Sequence, residues 1–393
     1  MRTVIVGGGV AGISAAMDLA RREVGEVIVL SDETYPYYYR PQLTEFLAGN
    51  LTLERLIRRP LSWYSEKGID VRLGTSVTGL YPDRKAIGTS GGDEIAYDKL
   101  LLAMGSAPVV PGILGADKPG VRTWRTLDDT LEMEKMALTC QDIVVIGGGL
   151  LGLELARGLK GFCSSITVLE FFPRLMPRQL DVEGAHLLQS FVASLGIAVV
   201  VDARVESISG DSHATGVHLA DGRDFPANSV VVAAGVRPCT ALAEAAGIAV
   251  DRGIIVDEHM ATSAQGIYAA GDVASYKGYS WAIAPIAQAQ ARVAAANIAG
   301  ELIQYDVVVP STTLKVVGID VSSVGLVNPE GADFTEIRGL HPDAGTYRKI
   351  VLKDGAIVGS IVINGRQMAK ELEAKIASRT PMTADEARGI VSQ

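Results

Sequence analysis

A strand, a glycine-rich turn and a helix occur twice in this chain, and this repeat limits the possible folds more than any other feature. In the first copy Arg2–Val6 is a short β-branched run, three glycines follow, and apolar residues recur at helical spacing from Val10 to Arg22. The apolar strand Val27–Leu30 comes next. The sequence therefore predicts a βαβ unit, in which the two strands are parallel and the crossover is right-handed.

The same pattern returns near residue 142. Ile143–Ile146 reads as a strand, Gly147-Gly148-Gly149 as the turn, Leu150 to Gly158 as the start of a helix, and Ile166–Leu169 as the second strand. Because the offset between the copies far exceeds the roughly 20–50 residues of a solenoid repeat, we interpret it as a duplicated domain. We predict an α/β fold with two Rossmann-like nucleotide-binding domains.

Apolar runs separated by turn residues predict the rest of the fold. The predicted strands are Val71–Leu73, Val77–Tyr81, Ala86–Thr89, Tyr97–Met104, Val230–Gly235, Ile267–Asp272, Thr313–Val317, Lys349–Leu352 and Ile357–Ile363. The alanine-rich stretch from Ala282 to Gly300 is predicted to be a helix, and Lys353-Asp354-Gly355 is a hairpin signal. The end of the chain is therefore expected to form a small α+β domain.

The first glycine turn has the spacing of a dinucleotide-binding motif. Gly7, Gly9 and Gly12 fit G-x-G-x-x-G, in which the first glycine permits the turn, the second lets a pyrophosphate approach and the third lets helix and strand pack. The helix N-terminus offers N–H groups and a positive dipole end to the phosphates. Asp32 and Glu33 end the second strand, where an acid accepts hydrogen bonds from an adenosine ribose.

The second turn repeats the motif with Gly147, Gly149 and Gly152, and Glu170 ends its second strand. A carboxylate at that place suits a free ribose hydroxyl and repels a 2′-phosphate, so NADH is favoured over NADPH. Arg174 either weakens this preference or is a solvated loop residue.

Two such motifs in one chain imply two nucleotides brought together. A hydride passes only when its donor carbon and acceptor nitrogen lie within about 3–3.5 Å. The protein then supplies orientation and the cofactors supply reactivity.

Charge and hydropathy narrow the class of partner. The net charge of −9 argues against a nucleic-acid partner. No apolar run reaches the roughly 18 residues of a membrane span. Met1 to Val6 has one positive charge and a short apolar run that leads at once into glycines, unlike a signal peptide. We therefore expect a cytoplasmic protein with no membrane partner.

The three cysteines, Cys140, Cys163 and Cys239, lie far apart in sequence and form no Cys-x-x-Cys pair. A disulfide framework is not expected, and lone cysteines usually act as small apolar residues. The five histidines show no metal-ligand spacing, so we predict no metal site.

Several strand ends, taken with the two glycine motifs, resemble the FAD-dependent pyridine nucleotide-disulfide oxidoreductase superfamily. They are Ala103-Met104-Gly105, Ala234-Gly235 and Tyr268-Ala269-Ala270-Gly271-Asp272. The resemblance covers roughly residues 1–300 and implies a glutathione-reductase-like fold, FAD at the first motif and NAD(H) at the second. It also implies that Asp272 holds the ribityl chain or the pyrophosphate of FAD.

The segment Tyr37-Tyr38-Tyr39-Arg40-Pro41-Gln42-Leu43 is similar to the flavin-proximal segment of NADH:rubredoxin oxidoreductases and of the flavin subunit of nitrite reductases. This resemblance implies that Arg40 and Pro41 lie against FAD. Further similarities lie at Asp257–Ser263, in the helix that holds Gln290, and from Pro310 to Val316, which is similar to the small C-terminal domain of those reductases.

The chain also departs from its relatives. Disulfide reductases place a redox cysteine pair near the flavin, but Pro41 to Leu47 contains no cysteine, which excludes a dithiol relay. Many ferredoxin reductases of the superfamily have a lysine where this chain has Glu45, so a Lys–Glu pair with Glu154 is in doubt. Glu154 either faces the nicotinamide ribose or is a helix acid favoured by its place near an N-terminus.

The resemblance and the motifs together define the predicted cofactor site. The flavin is the redox centre, and Glu154 is the candidate catalytic side chain. The predicted cofactor-binding residues are Gly7, Gly9, Val10, Ala11, Gly12, Asp32, Glu33, Arg40, Pro41, Val77, Ala103, Gly105 and Asp272 for FAD, and Gly147, Gly149, Leu150, Leu151, Gly152, Glu154, Glu170 and Gly235 for NAD(H). The predicted domains are residues 1–110 and 237–308 for FAD, 111–236 for NAD, and 309–393 for the small C-terminal domain.

With no thiol available, electrons leave the flavin directly, which suits a small one-electron carrier such as rubredoxin. Arg55, Arg58 and Arg59 follow the flavin-proximal segment, and Arg55 and Arg59 share one face if this stretch is helical. They are expected either to steer an acidic carrier or to form a solvated basic face. Trp281 is expected in the core, with a place near the flavin as the alternative.

The sequence leaves the electron acceptor open. The alternatives to a rubredoxin reductase are an NADH oxidase that uses O₂, a flavin subunit that feeds a nitrite-reductase-type partner, and a redox-sensing protein that binds NADH with little turnover.

Overall fold

The computed structural model describes residues 1–139, 141–306 and 311–393. Its strands, in chain order, are β1 (Arg2–Val6), β2 (Glu26–Leu30), β3 (Ile69–Arg72), β4 (Val77–Tyr81), β5 (Ala86–Thr89), β6 (Glu94–Ala96), β7 (Lys99–Leu102), β8 (Ser106–Pro108), β9 (Val121–Thr123), β10 (Asp142–Ile146), β11 (Ser165–Leu169), β12 (Ala198–Val200), β13 (Val205–Ser209), β14 (Gly216–Leu219), β15 (Asp224–Pro226), β16 (Ser229–Val232), β17 (Val236–Pro238), β18 (Ile254–Val256), β19 (Ile267–Ala269), β20 (Ala274–Tyr276), β21 (Ser311–Val316), β22 (Ile319–Gly325), β23 (Phe334–His341), β24 (Thr346–Lys353) and β25 (Ala356–Ile363).

The helices are α1 (Val10–Arg21), α2 (Leu43–Leu47), α3 (Leu53–Leu56), α4 (Leu61–Ser65), α5 (Leu127–Ala137), α6 (Leu150–Leu159), α7 (Val182–Ser194), α8 (Ala241–Ala245), α9 (Ala284–Ile298), α10 (Arg366–Ala377) and α11 (Ala384–Val391). Short 3₁₀ turns lie at Arg40–Gln42, Pro82–Arg84 and Pro342–Ala344. Across the described residues, no helix combines the length and the apolar character that crossing a membrane requires.

The chain divides into two compact units, each built from separate segments. The first unit comprises Met1–Gln42, Leu51–Ala107 and Val236–Val308, and the second comprises Leu43–Asn50, Pro108–Gly235 and Val309–Gln393. The three-domain division with its boundaries stays a prediction, and the boundary between residues 308 and 309 lies outside the described residues.

The first unit is built on a parallel five-stranded sheet in the order β3-β2-β1-β7-β19. The central strand β1 is buried along Val4 and Ile5, which have no exposed surface, as expected for a strand covered on both faces. Helix α1 packs on the sheet, and α9 packs on α1. Both helices bury small residues, among them Ala15 and Ala291, which have no exposed surface. The strand order reverses at β1, which is where ligands bind in open α/β sheets.

The second unit repeats this plan. Its parallel sheet has the order β12-β11-β10-β16-β9, again with the first strand of the βαβ unit in the middle. Each unit also has a three-stranded antiparallel meander, β4-β5-β6 in the first and β13-β14-β15 in the second. The predicted duplication and the parallel pairing of both βαβ units are therefore confirmed.

The end of the chain forms an antiparallel sheet in the order β21-β22-β25-β24-β23, against which α10 and α11 pack. Asp354 and Gly355 connect β24 to β25 with φ of 50° and 73°, as a two-residue turn between twisted strands requires. The predicted α+β character and the hairpin are confirmed.

Some predicted bounds are wrong. The run Tyr97–Met104 pairs with β1 only over Lys99–Leu102, because β1 ends at Val6. The third strand is Ile69–Arg72 instead of Val71–Leu73. Val317, predicted to end a strand, lies in the turn with Gly318 that leads into β22.

Candidate functional site

The first glycine turn joins β1 to α1, and two of its three motif glycines, Gly7 and Gly12, have no room for a side chain. Gly7 has φ of 114°, and a Cβ there would lie 2.1 Å from the carbonyl oxygen of Ala103. A Cβ at Gly12 would lie 1.9 Å from the carbonyl oxygen of Gly7. Both positions therefore need glycine because backbone passes against backbone.

Gly9 differs from its neighbours because the space in front of it is open. A Cβ at this position would meet no described atom within 4 Å. Gly9 is the N-cap of α1 and makes no side-chain capping bond, so Val10 and Ala11 open the helix with N–H groups that lack intrahelical partners. An open space before uncapped N–H groups fits the pyrophosphate of a dinucleotide.

At the end of β2, the predicted ribose acid is tied to the predicted flavin-proximal segment. Glu33 accepts hydrogen bonds from the Tyr38 hydroxyl and from Arg40, with which it forms an ion pair. Although burial opposes it, the charge of Glu33 raises the pKa of Arg40 above its ordinary value. Asp32 is exposed, so Glu33 is the acid whose side chain is held in place.

The opposite rim of the first site is formed by the ends of β7 and β19. The Ala103 N–H donates to the carbonyl oxygen of Val6 at 2.8 Å, so the turn at Gly105 follows directly after the sheet. Asp272 accepts a hydrogen bond of 2.7 Å from the buried Ser106 hydroxyl. The sequence did not single out Ser106, and a serine directly after a strand-end glycine was the available signal.

The turn before Asp272 is fixed from α9. The side-chain oxygen of Gln290, which is 2% exposed, accepts a 2.9 Å hydrogen bond from the Gly271 N–H. Among the other predicted residues, Pro41 is exposed in a 3₁₀ turn and Val77 is half-buried at the start of β4. The first unit thus brings Gly9, Glu33 and Asp272 to the strand ends, and their contacts with FAD stay a prediction.

The second glycine turn reproduces the first. Gly147 has φ of 123°, and its Cβ would lie 2.4 Å from the carbonyl oxygen of Ala233. A Cβ at Gly152 would lie 2.0 Å from the carbonyl oxygen of Gly147, while Gly149 faces open space. Leu150 and Leu151 open α6 as Val10 and Ala11 open α1, and Gly235 lies beyond β16 as Gly105 lies beyond β7.

Glu170 is a buried carboxylate with both oxygens engaged. The Gly148 N–H donates to Oε2 at 2.6 Å, and the Phe172 N–H donates to Oε1 at 2.8 Å. Arg174 is half-buried and donates to the carbonyl oxygens of Leu180 and Pro177 at 3.1 and 3.3 Å. The expectation that Arg174 is a solvated residue is therefore wrong, because its guanidinium ties down a loop.

Glu154 belongs to a cluster that the sequence did not reveal. We define the Glu154 cluster as Glu154, Arg157, Glu45 and the N–H of Val317. The Val317 N–H donates to Glu154 Oε1 at 2.7 Å, and Arg157 Nη2 donates to Glu154 Oε2 at 3.1 Å. The same Nη2 donates to Glu45 Oε1 at 2.5 Å, and Asn50 donates to Glu45 Oε2 at 2.9 Å.

A Lys–Glu pair between positions 45 and 154 is therefore absent, since position 45 is a glutamate. Arg157 on α6 instead pairs with both Glu45 and Glu154. Burial raises the pKa of Glu154, and Arg157 opposes that rise. The available signal was the placement of Arg157 three residues after Glu154 on one helix, a spacing at which side chains meet.

The basic segment departs from the predicted geometry. Helix α3 ends at Leu56, so Arg55 and Arg59 do not share a helical face. Pro60 disfavours helical backbone at Arg59. Arg58 donates to the side chain of Gln42 at 3.1 Å, and Arg59 lies 5.0 Å above the ring of Trp63.

The cysteines and Trp281 were expected to be buried as apolar residues. Cys163 is buried and Cys239 is half-buried, and Cys140 lies outside the described residues. Trp281 is half-buried and stacks on the exposed Tyr279 at 5.5 Å, so the expected place in the core is wrong.

The two turns have open space before two uncapped helices and a carboxylate beyond each, which is the geometry of two dinucleotide sites, as in oxidoreductases that use FAD and NAD(H). A family model described as pyridine nucleotide-disulphide oxidoreductase matches residues 1–291, and one described as rubredoxin NAD+ reductase C-terminal domain matches residues 310–380. The chain belongs to the pyridine nucleotide-disulphide oxidoreductase family.

Relatives of known name include the assimilatory nitrate reductase electron transfer subunit of Bacillus subtilis (strain 168). It is 35% identical over 364 residues, which are 92% of this chain and 47% of that protein. The NADH-rubredoxin oxidoreductase of Clostridium acetobutylicum is 30% identical over 379 residues, 96% of this chain and 94% of that protein. The chain spans about half the length of its nitrate and nitrite reductase relatives.

Among solved structures, the covalent putidaredoxin reductase–putidaredoxin complex matches with a TM-score of 0.91 at 26% identity. The match covers 98% of this chain and 95% of that chain. These matches include electron-transfer proteins: a nitrate reductase electron transfer subunit, a rubredoxin oxidoreductase and a putidaredoxin reductase.

Proposed function

We propose that the chain takes hydride from NADH onto FAD and passes electrons singly to a small iron protein, with rubredoxin as the preferred acceptor. The observation that supports it is the paired geometry of Gly9 and Gly149, two open helix N-termini in one chain. Bound FAD supplies the chemistry of accepting two electrons together and releasing them one at a time.

The residues around the first glycine turn would bind and orient FAD. In this proposal Gly9, Val10 and Ala11 bind the FAD pyrophosphate through N–H groups, and Glu33, held by Tyr38 and Arg40, accepts from the adenosine ribose. Asp272, oriented by Ser106, accepts from the ribityl chain or binds near the pyrophosphate.

For NADH, Gly149, Leu150 and Leu151 would bind the pyrophosphate, and Glu170 the adenosine ribose. The charge of Glu170 lies at a fixed place because two backbone N–H groups hold it. Arg174 is engaged by two carbonyl oxygens, which leaves the carboxylate to disfavour a 2′-phosphate. We therefore propose NADH over NADPH.

Rubredoxin is preferred because the C-terminal residues match the rubredoxin NAD+ reductase C-terminal domain. The second candidate acceptor is a nitrite- or nitrate-reductase-type partner. It is favoured by the 35% and 34% identity to the Bacillus subtilis relatives, which exceeds the 30% to the clostridial rubredoxin reductase.

The test is anaerobic reduction of the purified holoprotein by NADH, followed by mixing with rubredoxin, ferredoxin or air. We expect reoxidation by rubredoxin to be the fastest. Fast reoxidation in air without any carrier would instead indicate an NADH oxidase. Copurification with a larger reductase would favour the second candidate, and negligible reoxidation by every acceptor would favour a sensor.

The docking surface for the carrier is proposed on Arg55, Arg58 and Arg59. All three are exposed, and Arg59 and Lys67 flank the ring of Trp63 at 5.0 and 6.0 Å. An exposed set of cations around aromatic rings suits an acidic partner protein.

Charge reversal at the three arginines should slow carrier reduction at low salt while leaving NADH-to-dye turnover intact. The matched control is charge reversal at Arg84, an exposed arginine of the same unit that pairs with Glu94. Equal losses with carrier and with dye would reject the docking surface without touching the assignment of the cofactors.

A further inference from the structure

The Glu154 cluster has a feature that the binding of phosphates does not explain. A single guanidinium nitrogen of Arg157 serves two carboxylates from different helices, Glu154 on α6 and Glu45 on α2. Their oxygens are therefore no more than about 6 Å apart, a range in which like charges disfavour each other's ionisation. Arg157 is the group that allows both to be charged.

The carboxylate of Glu154 keeps room for a further partner. A carboxylate has about four acceptor positions, and here the Val317 N–H and Arg157 use one on each oxygen. The side chain is 12% exposed and lies about one turn into the helix that follows the second glycine turn.

Helix α2 is held on α6 independently of the charges. Leu47 has no exposed surface, and a Cβ at Gly158 would lie 3.2 Å from its side chain. The apolar contact keeps Glu45 near the cluster whatever stands at position 157, so variants of Arg157 are expected to fold.

We propose that Arg157 is a positioning residue for NADH oxidation, which keeps Glu154 oriented and charged to accept a hydrogen bond from the nicotinamide half of the dinucleotide. The proposal rests on the proposed function, since it needs NADH at the second glycine turn. It assigns to Arg157 an effect on Glu154 and no direct contact with the nucleotide.

The surroundings determine the sign of the pH effect. Among the described side chains, the charged groups of the cluster are Arg157 from α6 and Glu45 from α2, and the turn after β21 contributes only a peptide N–H. Removal of Arg157 leaves burial and Glu45, which raise the pKa of Glu154, and the hydrogen bond from the Val317 N–H, which lowers it. Glu154 then becomes protonated as the pH falls.

The experiment compares the wild-type holoprotein with Arg157→Met, Arg157→Lys and the double variant Arg157→Met/Glu45→Gln. The rate of anaerobic flavin reduction by NADH is measured from about pH 6 to pH 9. We expect Arg157→Met to be roughly tenfold slower at the acid end and to recover as the pH rises. Arg157→Lys should regain the profile of the wild type. The double variant should recover only in part, because it removes the charge of Glu45 but leaves Glu154 buried.

A second readout does not depend on turnover. Infrared spectra recorded without NADH show a band for a protonated carboxyl group. The band is assigned to Glu154 if it disappears when Glu154→Gln is added to the variant. We expect this band in Arg157→Met at acid pH, a weaker band in the double variant at the same pH, and no band in the wild type. The control Arg223→Met, which removes an exposed pair with Asp221, should behave as the wild type.

Slower reduction at every pH, without a protonated Glu154 band and without rescue by Glu45→Gln, would overturn the proposal and leave Arg157 a structural residue. Failure of NADH to reduce the wild-type flavin would instead overturn the proposed function. The infrared titration would still decide whether Arg157 controls the charge of Glu154.

Discussion

At the residue scale, Glu170 shows how backbone can fix the place of a charge. Its carboxylate is 5% exposed and accepts from the N–H groups of Gly148 and Phe172. A buried charge is tolerated when it is hydrogen-bonded, and hydrogen bonds to a charged group are the stronger kind. A 2′-phosphate placed beside Glu170 would be repelled, because the two hydrogen bonds hold the carboxylate in one orientation.

We therefore expect Glu170→Gln to weaken discrimination between the two coenzymes. The value of kcat/KM for NADH should fall roughly tenfold, because a charged acceptor for the ribose becomes neutral. The value for NADPH should fall less or rise, since the repulsion is removed. Steady-state kinetics with a dye acceptor measure both.

The matched control is Glu206→Gln, which neutralises an exposed carboxylate of the same unit. It should leave the NADH to NADPH ratio unchanged. An unchanged ratio in Glu170→Gln as well would remove Glu170 from the specificity site.

At the element scale, an ion cluster around the buried Lys349 joins α7 to the C-terminal sheet. Asp181 caps α7 by accepting from the Gly184 N–H at 3.1 Å, and it accepts from the Tyr347 hydroxyl at 2.6 Å. The side chain of Lys349 is 1% exposed, and its Nζ lies 3.2 Å from Asp181 Oδ2 and 2.6 Å from Glu336 Oε2. Strand β24 thus supplies the cation that the helix cap and β23 share.

We expect Lys349→Met to destabilise the protein by about 1.5–3 kcal/mol, because the buried Asp181 loses its buried cation, while Arg338 still pairs with both carboxylates. Urea unfolding monitored by circular dichroism measures the loss. The control Lys370→Met removes an exposed lysine of α10 and should lie within about 0.5 kcal/mol of the wild type.

The same cluster predicts a dependence on pH. Burial opposes ionisation of both acids, but hydrogen bonds from Tyr347, Gly184 and Lys349 hold the pKa of Asp181 below 3.8, and Lys349 and Arg338 hold that of Glu336 below 4.5. Their stabilisation is full above these values and is lost as the pH falls through the depressed pKa values. In Lys349→Met both pKa values should rise, so the destabilisation relative to the wild type should shrink as the pH falls and the carboxylates become protonated. An equal destabilisation at about pH 7 and about pH 4 would contradict this account.

At the scale of the whole molecule, the chain uses one construction twice. Gly9 and Gly149 both have extended backbone, both cap a helix without a side chain, and both face open space. Neither glycine is needed for the fold, because a Cβ would meet nothing and the backbone suits any residue. In the proposed function, both glycines leave room for the pyrophosphate of a nucleotide.

We expect Gly149→Asp to separate folding from binding. Aspartate is a preferred N-cap, so the stability should be unchanged or raised by a few tenths of a kcal/mol, while its charge repels the pyrophosphate of NADH. The variant should keep its flavin and its reduction by dithionite but lose reduction by NADH. Absorbance spectra during both titrations measure this.

The reciprocal variant Gly9→Asp is the control, and it should be purified without flavin. If Gly149→Asp lost flavin as readily as Gly9→Asp did, the assignment of one nucleotide to each turn would be wrong.

The sequence by itself determined the duplicated α/β plan, because glycine spacing and strand-like apolar runs are local features of the chain. Gly7 and Gly147 need glycine for their φ and for the backbone that passes against them, and this requirement is visible as a motif. The same holds for the hairpin at Asp354 and Gly355. Element ends were less predictable, since β7 stops where its partner β1 stops.

Only the tertiary structure decided which charged side chains meet. Arg157 and Glu45 are 112 positions apart, and Asp181 and Tyr347 are 166 apart, so no local pattern indicates their contact. Pairing across such separations depends on how helices and sheets pack, because a side chain's partner is set by the fold around it. The partners of these charged side chains are therefore found by geometry, while the glycine turns proposed to bind nucleotides are found in the sequence.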